Sequence, residues 1–210
     1  MSQDLLDSLP APWRLAVAYA PMPTRDRWLT MLALDVRLAS VVRGAREPIL
    51  AQMRLAWWRD RLRDSADKWP RGEPLLAALA CWDGGHGALL GLVDGWEALL
   101  GEAPLPVEAF ESWIAGRVAA CAALDDRAGE GAESMARGWA LGDLAAHLGD
   151  AQEQAAVADM IEAHGWRGRR LPRAMRPLVI LHGLAARTKG RQGAENISLF
   201  TLLRLGMLGV

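Results

Sequence analysis

The sequence predicts an all-α fold, and three observations carry that prediction. Alanine and leucine dominate, while the strand formers valine, isoleucine, tyrosine and phenylalanine are scarce. Apolar residues recur with a period near 3.6, and alternation of period two is hard to find. Proline, glycine and capping residues divide the chain into segments of helical length. With 210 residues and 51% hydrophobic content, one domain over 1–210 with its core at about 13–187 is expected, and disorder is not.

Taken in order, a short helix is expected from Trp13 to Tyr19, stopped by "APMPT". Thr24 is the expected N-cap of a long helix to Arg43. "GAREP" turns the chain, and Pro48 suits the first turn of a helix to about Asp67. "KWPRGEP" breaks that pattern. A helix follows from Leu75 to Trp82, then a "DGGHG" loop, then a helix from Ala88 to Leu100. After "GEAPLP" comes a helix from Val107 to Leu124. "DDRAGEGAES" reads as a glycine-bearing loop, with Ser134 capping a helix to Leu148. Ala151 to His164 forms the next helix, and "GWRGRRLP" a turn. Pro172 opens a helix to Arg187, with Pro177 marking a start or a kink. Ser198 caps a final helix to about residue 208. Gly138 and Gly142, with Ala145 and Gly149, form a small-residue stripe where another helix is expected to pack closely.

Composition narrows the function classes. The net charge of −1 points to neither nucleic acid nor an anionic membrane as partner. Cys81 and Cys121 lie far apart in apolar surroundings, as buried free thiols do, and form neither a disulfide framework nor a metal pattern. The N-terminus lacks the basic and apolar regions of a secretory signal, and no stretch reaches the ~18 uncharged apolar residues of a spanning helix. A cytoplasmic location is expected. The apolar end "ISLFTLLRLGMLGV" allows a position peripheral to the inner membrane, a protein contact, or completion of the core. Arg167, Arg169, Arg170, Arg173 and Arg176 form the densest basic cluster, read as a solvated turn.

The segment "REPILAQMRLAWWRDRLRD" poses the sharpest functional question. On a helical wheel, Gln52, Arg59 and Arg63 share a polar edge. Arg54 and Arg61 instead fall among Leu50, Trp57, Ala51 and Trp58, so both are expected to point inward or to line a groove. On the preceding helix Asp35 falls among Met31, Leu32, Ala39 and Val42, so it too is expected inward. Two readings stay open. One is an internal ion pair of Asp35 with Arg54 or Arg61. The other is an anion site in which the arginine forks grip phosphate oxygens, with Trp57 and Trp58 beside them.

"YAPMPTRDRWLTMLALDVRLASVVRGAREPILAQMRLAWWRDRL" resembles the N-terminal part of the squalene/phytoene synthase family. It is most similar to that family's divergent bacterial branch and to its mitochondrial complex I assembly factor. "LLGLVDGWEALLGEAPLPVEAFESWIAGRVAACAAL", "ARGWALGDLAAHL" and "LPRAMRPLVILHGLAAR" resemble later family helices in order. The resemblance implies an isoprenoid-synthase-like helical bundle. In family enzymes two Asp-rich helices hold magnesium, which neutralises the diphosphate leaving from a prenyl chain.

The chain departs from that pattern where the metal motifs belong. The first motif position reads Ala39-Ser40-Val41-Val42-Arg43, with Asp35 the only nearby carboxylate, and the second reads Gly149-Asp150-Ala151-Gln152-Glu153. Asp150 and Glu153 look exposed at a helix end, and Asp143 and His147 look like solvated-face residues. Asp94 and Glu97 match the acidic position of the family's middle helix and are the metal ligands expected if the chain is active. The expectation is a catalytically degenerate relative without a required cofactor, acting in isoprenoid or lipid binding or in respiratory-complex assembly. The alternative is an active, magnesium-dependent prenyl-diphosphate transferase of squalene or carotenoid biosynthesis. Expected partners are accordingly an isoprenoid or prenyl diphosphate, a protein, or a membrane surface.

Overall fold

The computed structural model describes residues 2–45 and 47–188, so the expected helix from Ser198 lies outside the described residues. Among the described residues there are ten α-helices and no strand: α1 Ser2–Asp7, α2 Ala11–Ala18, α3 Met22–Gly44, α4 Pro48–Arg63, α5 Pro74–Leu79, α6 Leu90–Ala98, α7 Val107–Ala122, α8 Gly129–His147, α9 Ala151–His164 and α10 Arg176–Thr188. The all-α expectation therefore holds. No single helix among the described residues is long and apolar enough to cross a membrane.

Helix α3 is the central post. Trp28, Leu32, Leu34 and Leu38 on it are fully buried, each contributing about 1.5–3 kcal/mol of transfer free energy. The indole Nε1 of Trp28 donates to the Ala174 carbonyl at 2.8 Å, tying α3 to the 3-10 turn ahead of α10. Helices α6, α7, α8 and α10 pack most extensively in succession, each on the next. On the outside of α7, Arg137 of α8 donates two 2.7 Å hydrogen bonds to the Glu111 carboxylate.

Two crossings are close because they lack side chains. A Cβ on Gly116 of α7 would lie 2.0 Å from the carbonyl oxygen of Gly91 on α6. One on Gly142 of α8 would lie 2.6 Å from the Ala185 methyl on α10, which is the close helix contact the glycine stripe predicts.

Several boundaries differ from the sequence reading, each for a physical reason. Thr24 does not cap α3: the helix starts at Met22, with Pro21 as N-cap and Pro23 in its first turn. Helix α8 begins at Gly129, not at Ser134, because burial of Ala132 and Met135 outweighs the poor helix propensity of Gly129 and Gly131. Pro177 sits in the first turn of α10, where its missing N–H costs no hydrogen bond. Glu153 is buried, not exposed: its Oε1 accepts from the Leu105 N–H at 2.8 Å, and Asp150 caps α9 just before it. Of the arginine cluster, Arg167, Arg169, Arg170 and Arg173 are exposed between α9 and α10 as expected, whereas Arg176 is half-buried as the first residue of α10 and not part of a solvated turn.

The glycine at the α6–α7 crossing is testable. Gly116→Ala is expected to lower stability by about 1–3 kcal/mol or more in urea unfolding. Gly44→Ala, where nothing lies within 4 Å, is expected to be neutral or to stabilise by up to about 1 kcal/mol.

A second test concerns His182 of α10, buried against Gly138 of α8 with no hydrogen-bond partner at Nε2 among the described residues. Burial, and then the neighbouring His164, push its pKa down to about 4. His164 is itself lowered by burial and by Arg137. The unfolded chain thus binds protons that the fold excludes, so stability is full above about pH 6.5 and falls as pH drops toward 4. Thermal unfolding across that window is expected to show the decline, and His182→Gln to flatten part of it.

Candidate functional site

The chemistry inside this bundle centres on one guanidinium. Arg117 arrives on α7, and only 2% of it is exposed. Its Nη2 lies 2.7 Å from Asp35 Oδ2 on α3, and its Nη1 lies 2.7 Å from Asp143 Oδ2 on α8. The other oxygen of Asp35 accepts a 2.6 Å hydrogen bond from Trp96 Nε1 on α6. One arginine thus joins three helices, and an indole joins the fourth.

Aromatic rings enclose the cation. The Arg117 guanidinium carbon lies 3.9 Å from the Trp113 ring centroid, 4.6 Å from that of Trp139 and 5.4 Å from that of Trp13. Trp13 meets Trp139 edge to face at 5.4 Å, and Trp96 meets Trp113 likewise at 5.5 Å. Each ring face attracts the cation by about 0.5–2 kcal/mol in such desolvated settings.

The electrostatics reflect burial. Burial pushes the Asp35 carboxyl up from its ordinary range, against the pull of Arg117 and Trp96, with Asp143 adding to the rise. Burial works against the Arg117 charge, but Asp35 and Asp143 outweigh it and hold the cation firmly protonated. Nearby, burial pushes the Cys121 thiol up to about 12. Cys121 and Cys81 are both free thiols, as their spacing predicts.

Above this triad lies a cavity of about 460 Å³, within the range of small-molecule sites. Asp35, Arg117 and Asp143 supply its polar floor, and Trp13, Trp96, Trp113 and Trp139 supply aromatic wall. Leu99, Leu105, Leu144, Leu148, Leu181 and Leu184 supply most of the aliphatic lining. Exposed Arg43 and His147 stand at its rim. His147 Nδ1 meets the Asp143 carbonyl at 2.7 Å and its carboxylate at 3.6 Å.

The residues singled out in the sequence fall in three places. Asp35 is inward and buried, as its wheel position predicts. Its cationic partner is Arg117, not Arg54 or Arg61. Arg54 is exposed, which corrects the inward assignment. Arg61 is half-buried at the end of α4, pairs with Asp64 at 3.1 Å, and accepts at its carbonyl from Trp69 Nε1. Trp58 is buried and Trp57 is 40% exposed, the two rings meeting edge to face at 5.1 Å.

None of Arg54, Trp57, Trp58 or Arg61 lines the cavity. The wheel misleads on α4 because its buried face is the narrow row Ala51, Leu55, Trp58 and Leu62. Ile49, Leu50, Met53 and Trp57 are equally apolar and stay outside.

Asp94 and Glu97 are both engaged by Arg59 of α4, whose Nε lies 2.9 Å from Asp94 Oδ1 and whose Nη2 meets Glu97 Oε2. Neither lines the cavity. The donors present do not fit a magnesium cluster there, since both Asp35 oxygens and one Asp143 oxygen are already held by protein cations or N–H groups. Among the described residues no group of three or more His, Cys, Asp or Glu side chains is placed around one ion position.

Sequence reasoning missed Arg117 and placed Asp143 on a solvated face. A signal for Arg117 was present: it is the only charge between Glu111 and Asp125, on a helix whose neighbouring positions are Trp113, Ile114, Ala120 and Cys121. Comparison with protein-family models, with curated proteins and with solved structures gives no match.

The triad makes its own prediction. Asp35→Asn leaves a buried guanidinium undercompensated and is expected to cost about 3–5 kcal/mol in urea unfolding. Neutralising the whole triad, with Arg117→Met and Asp143→Asn added, is expected to recover at least half of that loss.

Proposed function

We propose that this chain is a binding protein that takes an isoprenoid-like apolar molecule into the cavity and does not ionise a prenyl diphosphate. The observation that carries this reading is an apolar, tryptophan-walled cavity of about 460 Å³ whose inward carboxylates are committed to Arg117. An apolar guest gains roughly 25 cal/mol for each Å² of its surface withdrawn from water. Flat indole walls suit unsaturated or branched hydrocarbon. A diphosphate would face a floor triad of net charge −1, with Arg117 already shared between two carboxylates.

This reading agrees with the departures from the Asp-rich pattern of the squalene/phytoene synthases that the sequence resembles. The likeness to an assembly factor adds a protein partner to the proposal. Ile49, Leu50, Met53 and Trp57, all at least 40% exposed along one face of α4, support that part.

Four of the ten tryptophans line the cavity, so intrinsic fluorescence reads occupancy directly. Titration with farnesol is expected to give saturable quenching. Ala146→Trp, at the cavity wall, is expected to weaken binding at least tenfold with little change in unfolding midpoint. Absence of saturable binding would sink the proposal, as would turnover of farnesyl diphosphate to a condensed product with magnesium present.

A further inference from the structure

The triad does not present its three members equally to the cavity. The side chains of Asp35 and Arg117 are 2% and 3% exposed, while that of Asp143 is 20% exposed. A guest therefore meets Asp143 first among the floor charges. Asp143 Oδ2 is held by Arg117 Nη1 at 2.7 Å. Its Oδ1 lies 3.6 Å from His147 Nδ1, beyond hydrogen-bond reach. That nitrogen already meets the Asp143 carbonyl at 2.7 Å. Oδ1 is thus an acceptor that the triad leaves to a guest. A carboxylate oxygen accepts and cannot donate, so its partner must carry an N–H or an O–H.

Asp143 lies inside the mouth of the cavity. On α8 it precedes His147 at the rim by one helical turn, a rise of about 6 Å. On α3 Asp35 precedes Arg43 at the rim by two turns, about 12 Å. Between those levels the two helices line the cavity with Val36, Ala39, Val42, Leu144 and Ala146. A guest that reaches Oδ1 thus has its polar end inward and its hydrocarbon against apolar wall.

The charge of the floor sets which polar end is favoured. Two carboxylates share one guanidinium, which leaves one net negative charge beside the guest. Apolar walls screen that charge less than water does. A cation is attracted, a neutral donor is accepted, and an anion is repelled. Arg43 offers the opposite charge, but it is exposed at the rim, where water and salt weaken its pull.

We infer that Asp143 selects the ligand of this cavity by its head group: the ligand is an apolar chain of isoprenoid size whose inward end donates a hydrogen bond to Oδ1, a protonated primary amine binding most tightly, an alcohol next and a carboxylate least. This rests on the ligand-binding reading above and adds to it the chemistry and direction of the head.

The test titrates the full chain with farnesylamine, farnesol and farnesoic acid, whose hydrocarbon chains match and whose heads differ. At pH 7 the amine is protonated and the acid ionised. Tryptophan quenching is expected to rank them amine, alcohol, acid, with at least about a fivefold step in affinity each time. The amine is expected to displace farnesol competitively, to be weakened by Ala146→Trp as farnesol is, and to keep its lead in about 1 M salt, which screens a surface contact far more than an enclosed one. Equal affinities, a lead lost in salt, or amine binding indifferent to Ala146→Trp overturns the proposal. So does tightest binding of the acid, which places the head on Arg43. Asp143→Asn keeps the shape of the side chain and removes its charge. It is expected to bring the three affinities within about twofold, whereas a merely structural loss weakens all three alike and keeps their order, which overturns the role of Asp143. Should that variant fail to fold, the order and its salt response in the unaltered chain decide. If none of the three binds saturably, the ligand-binding reading falls and the head-group assignment with it; saturable binding without the order overturns the assignment alone.

Discussion

Everything inside this bundle is arranged around the ion triad of Asp35, Arg117 and Asp143. Burying a guanidinium is costly, and its two carboxylates must leave water as well. The arrangement compensates in three ways: two ion pairs of 2.7 Å, an indole donor on Asp35, and three indole rings around the cation. What the triad supplies is register. A planar fork meets two carboxylates only when α3, α7 and α8 hold one relative rotation, and the Trp96 hydrogen bond adds α6 to that set. The glycine crossings of α7 on α6 and of α8 on α10 then bring the helices close enough for the fork to reach.

The same triad forms the charged side of the cavity. A metal-dependent synthase needs free carboxylate oxygens facing its cavity. Here Asp35 and Asp143 serve as counter-ions of Arg117, and Asp94 and Glu97 on α6 serve as an outer clamp for Arg59. Arginine is thus used as an internal strut in one place and an external brace in another. Both roles commit acidic groups to arginine, and the cavity wall around the triad is aromatic and aliphatic.

Much of the architecture was legible in the sequence. Helix α9 lies where its periodicity places it, because a capping aspartate and a following glycine mark its ends. Asp35 was legible as an inward charge, because its arc of α3 is apolar throughout. Arg117 was not singled out, because the centre of α7 is rich in alanine and glycine and the segment reads as a packing helix; a charge there is visible in one dimension, but its two partners are 82 and 26 residues away. Arg54 misled for the opposite reason. Its flanking residues are apolar, but they belong to a solvent-facing stripe, and a wheel cannot tell which apolar arc of a helix meets the core. The start of α8 was hidden because glycine propensity argues for a loop, while the burial that overrides it depends on distant helices.

Cys121 lies one turn beyond Arg117, with none of its surface exposed and its thiol held protonated by burial. Thiolate is the form that alkylating reagents attack. In the folded protein this sulfur is therefore shielded twice, by packing and by protonation. Its rate of modification becomes a clock for transient opening of α7, and a guest that rigidifies the interior slows that clock without touching the sulfur.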